Sequence, residues 1–394
     1  MLLFHDMIYP RLDPRVYKEA KSLSDMDNDV TVVDWAVEFT GEGRSIKNIP
    51  KYDCFENIDI KRIFQNISPY SRTIFIRIIE QLHAMLKLSK EAISEKPDVV
   101  HSHDLTTLLS GVIVKKRLKI PLIYDSHEYW PGMVQERNGP FMSNICKFFE
   151  RIMLTQVDTV ITVSGTLAEN FKKHVAKTHI VYNSRKEVEM LNINEDEVNG
   201  LRKLLNISKD DFVVGYIGNI NSKRGIDKLV KSFEHIKDEN IKLLIVGGGE
   251  RGVISQLKPQ INHENETRII FTGQIPYHEV LPYFSLLNVG CVLFQPLPNH
   301  SIAAPNKLFE YMSMGIPLLV SDLTEMRRIV TIDSKCGICV DATSPEQIAD
   351  SIKWLHKNPE KTKIMGNNGL KQFKQKYCWE NMEETLHNVY EDLK

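Results

Sequence analysis

The chain has 394 residues, with 50 Lys and Arg against 51 Asp and Glu, a net charge of −1, and hydrophobic and charged fractions of 42% and 26%. At about 150 residues per domain this length predicts two or three domains, and the composition excludes a disordered chain. So even a charge balance provides no global field for gripping DNA or RNA, and no nucleic-acid partner is expected.

Six cysteines are too sparse for a disulfide scaffold and suit a reducing compartment. No apolar run approaches the roughly 20 residues that span a bilayer. The opening MLLFHDMIYP lacks a basic start and is interrupted by His5 and Asp6, so it does not read as a signal peptide. The expectation is a soluble, cytoplasmic protein.

In chain order, VTVVD (30–34), DVVHS (98–102), IPLIYD (120–125), DTVITV (158–163) and HIVY (179–182) read as short buried strands. Segments 14–27, 73–95, 104–117 and 165–175 between them carry helical spacing. Strands apolar on both faces and separated by helices predict a parallel sheet covered on two sides. A polar stretch, 184–210, interrupts the pattern. It restarts with FVVGYIG (212–218), IKLLIVGGG (241–249), RIIFTG (268–273), VGCVLF (289–294), IPLLVS (316–321) and GICVD (337–341). This predicts an α/β chain of two doubly wound domains, 1–187 and 188–375, with a closing helical segment, 376–394. Such sheets bind ligands at the carboxyl ends of their strands, so facing switch points would form one central cleft.

Three segments carry candidate chemistry. In FVVGYIGNINSKRGID (212–227) a buried strand ends at Gly218 and a loop with Lys223, Arg224 and Gly225 leads into a helix. This is either a phosphate site, built from free N–H groups and cations, or an ordinary strand–helix turn. IVGGGERG (245–252) lacks the third glycine of a dinucleotide fingerprint and reads as a tight turn. In NHSIAAPNKLFEYMSMGIPLLVS (299–321), Ser301, Ala303 and Ala304 let a backbone approach a ligand, and Pro305 suits a first helical turn. Asn306 and Lys307 follow at the helix start and Glu310 lies a turn and a half in. Helix N–H groups can take phosphate there, and the acid can take ribose hydroxyls.

Taken in order, DPRVYKEAKSL (13–23), PDVVHSHDL (97–105), PLIYDSHEYW (121–130), GYIGNINSKRGIDKLV (215–230), LLIVGGGE (243–250), FTGQIPYHEVLPYF (271–284) and PNKLFEYMSMGIPLLVSD (305–322) resemble glycosyltransferase family 4. The resemblance implies the two-domain GT-B fold, a nucleotide-sugar donor, retention at the anomeric carbon and no metal or other cofactor. It implies that WENMEETLHNVYED (379–392) crosses back onto the first domain. By the same resemblance His127 is the active-site histidine near the donor sugar, and Arg224 clamps the diphosphate, with Lys223 and Asn219 beside it. Glu310 is the second glutamate of a Glu-x7-Glu motif that binds ribose, and Gly273, Gln274 and Ile275 form the turn that meets the base. The chain departs from the pattern at Ile302, where the first glutamate would stand, at Asn219, and in IYPRLDPR (8–15), which lacks paired glycines. These departures read as a variant site. A non-hydrolysing sugar-nucleotide 2-epimerase and a catalytically silent sugar-nucleotide binder are the alternatives.

Other features read more plainly. Asp25-x-Asp27 and Asp27-x-Asp29 sit at a helix end and read as a solvated cap. Cys336-x-x-Cys339 has no second pair and reads as a turn. His101 and His103 share one strand face and border the cleft; His103 and Arg15 are acceptor-side candidates. Segment 61–90 combines Lys61, Arg62, Arg72, Arg77, Lys87 and Lys90 with apolar residues. It reads either as a weak contact with the inner face of an anionic membrane, where lipid-linked acceptors lie, or as a core-packing helix.

Overall fold

The computed structural model describes residues 2–5, 13–37, 49–65, 74–187, 193–249 and 252–393. The chain divides into two compact units, Met1–Val181 with Glu383–Lys394, and Tyr182–Met382. The change of unit lies just before the expected 187/188 because Tyr182 packs on Phe309 and Tyr377, with ring centroids 5.1 and 5.2 Å away. The last helix, Trp379–Glu391, groups with the second unit through Met382 and with the first from Glu383 onward.

The first unit runs β1 (Leu2–His5), α1 (Pro14–Ser24), β2 (Val30–Val37), β3 (Tyr52–Phe55), β4 (Ile58–Gln65), α2 (Ile74–Ser94), β5 (Val100–His103), α3 (Asp104–Leu118), β6 (Leu122–Ser126), α4 (Trp130–Leu154), β7 (Thr159–Thr162), α5 (Gly165–Lys172) and β8 (Thr178–Ile180). The sheet order is β3-β4-β2-β1-β5-β6-β7-β8. Every neighbouring pair is parallel except β3–β4, so this sheet carries one antiparallel edge that the expected all-parallel pattern lacked. Glu56 and Asn57 make its hairpin turn, with φ of 49° and 64°, as a two-residue turn between twisted strands requires.

Lys61 and Arg62 are corrected from the sequence reading. They lie on β4, not on a helical face, and pair with Glu95 and Asp53. Arg72 lies outside the described residues, as do residues 8–12 of the glycine-poor turn. α2 packs on α3 and α3 on α4, and with this strand order the right-handed crossover rule assigns these three to one side of the sheet and α1 to the other. The strand order reverses direction between β1 and β5, which is the switch point of this unit.

The second unit begins with α6 (Glu195–Leu204), none of whose residues is buried, which is why a polar stretch concealed it. It continues with β9 (Phe212–Ile217), α7 (Ile226–Ser232), β10 (Ile241–Val246), α8 (Val253–Leu257), β11 (Ile269–Gly273), α9 (Leu281–Phe284), β12 (Val289–Val292), α10 (Asn306–Ser313), β13 (Leu318–Ser321) and β14 (Gly337–Val340). The sheet is parallel, in the order β11-β10-β9-β12-β13-β14, with its switch point between β9 and β12. The central strands β9, β12 and β13 are buried along their whole length, as in Val289–Val292 and Leu318–Leu319.

Tyr311 fastens α10 across that switch point. Its ring fills the space where a Cβ on Gly290 would come within 2.5 Å, and its hydroxyl accepts from the Ile217 amide at 3.0 Å. Among the described residues, no helix is long and apolar enough to cross a membrane.

Candidate active site

In the second unit the sequence-predicted residues gather at the carboxyl ends of β9 to β12. After β9 the chain passes Gly218, exposed Asn219 and buried Ile220, then makes a short 3-10 turn, Ser222–Arg224. Asn221 caps that turn by accepting from the Lys223 amide at 3.0 Å. Gly225 follows at φ 70°, where a Cβ would meet the Leu293 carbonyl at 2.1 Å. The close approach brings the Arg224 guanidinium over the Phe294 ring, 4.0 Å from its centroid, and the Lys223 carbonyl accepts from the Gln295 amide at 2.9 Å. The cationic turn therefore lies directly against the chain leaving β12.

The glycine cluster after β10 serves this loop. A Cβ on Gly247 would sit 2.0 Å from the Gly218 carbonyl, and one on Gly249 would sit 1.9 Å from that of Ile220. Backbone-to-backbone packing, with no dinucleotide fingerprint, accounts for both. Gly248 faces the Gln274 side chain, within 3.0 Å of a built Cβ. The turn Gly273–Gln274–Ile275 thus borders the same rim, Gly273 at φ 75°.

On the β12 side, a short turn, His300–Ile302, leads through half-buried Ala303 and buried Ala304 to Pro305. Pro305 is the N-cap of α10 and contributes no side-chain hydrogen bond, so exposed Asn306 and half-buried Lys307 open a helix whose first N–H groups have no side-chain acceptor from the cap. Lys307 Cε would lie 3.2 Å from a Cβ on Gly218. Its Nζ donates to Glu310 Oε2 at 2.6 Å, and Arg185 Nε donates to Glu310 Oε1 at 3.3 Å. Burial alone would raise the Glu310 pKa, but Lys307 and Arg185 outweigh it and hold the carboxylate below its usual range. Arg185 escaped sequence reasoning, because it sits in what read as a polar linker and meets Glu310 only through the fold.

His127 belongs to the first unit, at the carboxyl ends of β5 and β6. Its Nδ1 lies 3.4 Å from Asp104 Oδ2 and its Nε2 lies 3.2 Å from Asp125 Oδ2 and 3.0 Å from His103 Nδ1. The Asp104 Oδ1 also accepts from the His127 amide at 2.9 Å. Asp104 adopts φ 62° to reach it, an uncommon conformation for a residue with a side chain. Burial pushes the His127 pKa down, but the two carboxylates prevail and raise it to about 9. His103 is driven down by burial, so a charged His127 faces a neutral His103.

Two acceptor-side expectations are corrected here. Arg15 is 2% exposed. It grips Asp125 with Nε and Nη2 at 2.8 and 2.9 Å and donates through Nη1 to the Val181 carbonyl at 2.8 Å, so it holds the cluster together from inside. His103 is fully buried and stacks on His101 at 4.4 Å between centroids, which confirms that both share a face but removes them from an open surface. The ligand atoms of Glu19, His101, His103 and Asp125 lie within 4.8 Å of one another. Arg15 already supplies the cation, however: it occupies both Asp125 oxygens and lies 3.0 Å from Glu19. Asp25 pairs with Lys21 at the end of α1, the solvated cap expected of it. Cys336 and Cys339 are free thiols pushed up by burial to about 12 and about 11.

Family models match both parts of the chain, glycosyltransferase family 4 over residues 15–184 and glycosyl transferases group 1 over residues 199–372. The chain is a GT-B glycosyltransferase. This glycosyltransferase is 23% identical over 401 residues to the capsular polysaccharide biosynthesis glycosyltransferase CapM of Staphylococcus aureus, covering 98% of this chain and 96% of CapM. It is 23% identical over 355 residues to an uncharacterized glycosyltransferase of Methanocaldococcus jannaschii, 87% of either chain. Among solved structures it is similar to sucrose-phosphate synthase of Thermosynechococcus elongatus (TM-score 0.77, 17% identity, 100% and 99% covered). It is also similar to Anabaena HepE in complex with UDP (TM-score 0.75, 15% identity, 100% of both chains covered).

Proposed function

We propose that this glycosyltransferase moves a sugar from a nucleoside diphosphate to a hydroxyl acceptor with retention at the anomeric carbon and without a resident metal. The observation that carries the reading is the convergence of Arg224, Lys307 and the α10 N-terminus at one switch point. Breaking the bond to the diphosphate builds negative charge on the leaving oxygen, and fixed cations and helix N–H groups stabilise that charge. Glu310 takes the ribose, Gly273, Gln274 and Ile275 meet the base through their backbone, and Asn219, Ala303 and Ala304 allow close approach. UDP is the nucleotide we favour, since it is the ligand named for HepE.

His127, charged and flanked by carboxylates, is a donor of hydrogen bonds and not a proton acceptor at neutral pH. The acceptor's proton therefore passes to the departing phosphate oxygen as the new glycosidic bond forms, while His127 orients the donor sugar. The likeness to CapM supports a role in cell-surface polysaccharide synthesis, on a glycan or lipid-linked acceptor at the inner face of the cytoplasmic membrane. A weak contact of segment 61–90 would rest there on the exposed Lys87 and Lys90 of α2, beside a pocket of about 330 Å³ that Lys51 and Glu91 also line.

Mass spectrometry of the protein with UDP-sugars and a polyprenyl-diphosphate glycan tests the reading. Release of UDP with a glycosylated acceptor, of retained configuration by NMR, supports it; an epimerised sugar or unchanged donor overturns it.

A further inference from the structure

On its second half helix α4 buries two polar residues beside Leu154 and exposes a row of apolar ones. Gly139, at φ 83° and ψ 174°, breaks it, and Pro140 restarts it toward Leu154. On the restarted half the side that meets the sheet carries Ser143, 1% exposed and donating to the Pro131 carbonyl at 2.7 Å. The same side carries Glu150, 8% exposed and accepting from the Tyr124 hydroxyl at 3.1 Å. The side that meets solvent carries Phe141, Phe148, Phe149 and Ile152, exposed by 75, 60, 56 and 50%. Spacings of three, four and seven residues put the four on one stripe. A helix that hides its carboxyl and shows its phenyl rings is shaped for an apolar surrounding outside the fold.

The charges around the stripe indicate which surrounding. Arg137 and Arg151 are exposed and Lys147 is half-buried, whereas the Glu150 carboxylate is withdrawn. On the same side of the sheet, α3 exposes Lys116 and Arg117, and α2 exposes Leu82 and Leu86 beside Lys87 and Lys90. One helical layer thus presents apolar residues rimmed by cations. Pairing with a second copy about a twofold axis would set these cations against themselves, whereas an anionic bilayer meets both features at once.

We infer that the α4 stripe Phe141, Phe148, Phe149 and Ile152 inserts into the interface of an anionic lipid bilayer, with Arg137, Lys147 and Arg151 on the headgroups. This stripe adjoins the 61–90 contact, whose Lys87 and Lys90 belong to the same rim, and it does not depend on the chemistry assigned to the site residues.

The test is cosedimentation of the full chain with phosphatidylglycerol-containing and pure phosphatidylcholine vesicles at low and high salt. The parent should bind the anionic vesicles and release as salt rises. Phe148→Ser with Phe149→Ser should lower that affinity by about tenfold or more, since two buried phenyl groups are lost, with an unchanged melting temperature because neither ring packs in the core. Phe148→Trp should add fluorescence over the parent that brominated acyl chains quench in anionic vesicles. Parent-like sedimentation of the double serine variant, no quenching of the fluorescence that Phe148→Trp adds, or a concentration-dependent dimer that does not bind vesicles would each overturn the inference.

Discussion

Arg185 donates through Nε to the buried Glu310 carboxylate at 3.3 Å, from a position 125 residues earlier in the chain. With Lys307 on the other oxygen, Glu310 is held ionised and its rotamer fixed before any ligand arrives. A preorganised carboxylate loses little on accepting two hydroxyl hydrogens.

Glu310→Ala should therefore weaken UDP binding by about 1.5–3 kcal/mol, the usual worth of a charged hydrogen bond. Arg185→Ala should weaken it less, since Lys307 remains. Titration calorimetry with UDP measures both, and equal affinity in Glu310→Ala and parent would remove the ribose role.

Arg224 stands to matter more for turnover than for binding. Its interaction strengthens as charge grows on the leaving oxygen, and loss of one such donor typically costs about 10²–10³ in kcat. Arg224→Ala should show that loss with any donor, and Arg224→Lys should recover part of it, a point charge replacing a planar fork. Phe294→Leu should have a smaller effect, because it removes only the ring beneath the guanidinium. Steady-state kinetics on folded variants decides; a kcat within a few-fold for Arg224→Ala would pass the role to Lys223.

The alternation of strand and helix was legible because buried parallel strands are uninterrupted apolar runs, such as Val213–Val214 and Leu318–Leu319. β4 was hidden because Lys61 and Arg62 interrupt its pattern and find their acids at Glu95 and Asp53. The motifs set His127 and Arg224 beyond strand ends and Glu310 inside a helix, yet their partners were out of reach. Arg15 and Asp125 meet across 110 positions and Arg185 and Glu310 across 125, and no local spacing encodes such pairs. α4 defied the rule that the apolar side of a helix faces inward, since Glu150 and Ser143 take that place.

Glu150 makes that reversal measurable. Burial raises its pKa to about 7, from an ordinary value of 4.5. The folded state therefore holds a proton that the unfolded state releases between those values, so this residue's contribution to stability is greatest below about pH 4.5 and falls as pH rises through 7. Glu150→Gln keeps an acceptor for the Tyr124 hydroxyl without the buried charge. At pH 8 it should be more stable than the parent by about 1–3 kcal/mol, with the gain vanishing near pH 4.5. Urea unfolding at the two pH values measures this, and an equal difference at both would mean the carboxyl is not buried in solution.

His127 titrates in the opposite sense. A histidine has an ordinary pKa of about 6.5, and Asp104 with Asp125 raises that of His127 to about 9 against the effect of burial. Below about pH 6.5 the ring is charged in both folded and unfolded chains, and its attraction to the two carboxylates contributes in full. Between the two values only the folded state keeps the proton, so this contribution shrinks as pH rises and is gone above about 9. If the imidazolium orients the donor sugar, turnover should fall along the same alkaline limb. Asp104→Asn removes the charge 3.4 Å from Nδ1 while an amide oxygen can still accept from the His127 amide. It should shift both the NMR titration of the His127 Cε1 proton and the alkaline limb of kcat toward neutral pH together. A parent His127 that titrates near 6.5 would mean the carboxylates do not hold it charged, and a kcat limb that stays put while the ring pKa moves would separate His127 from the rate-determining step.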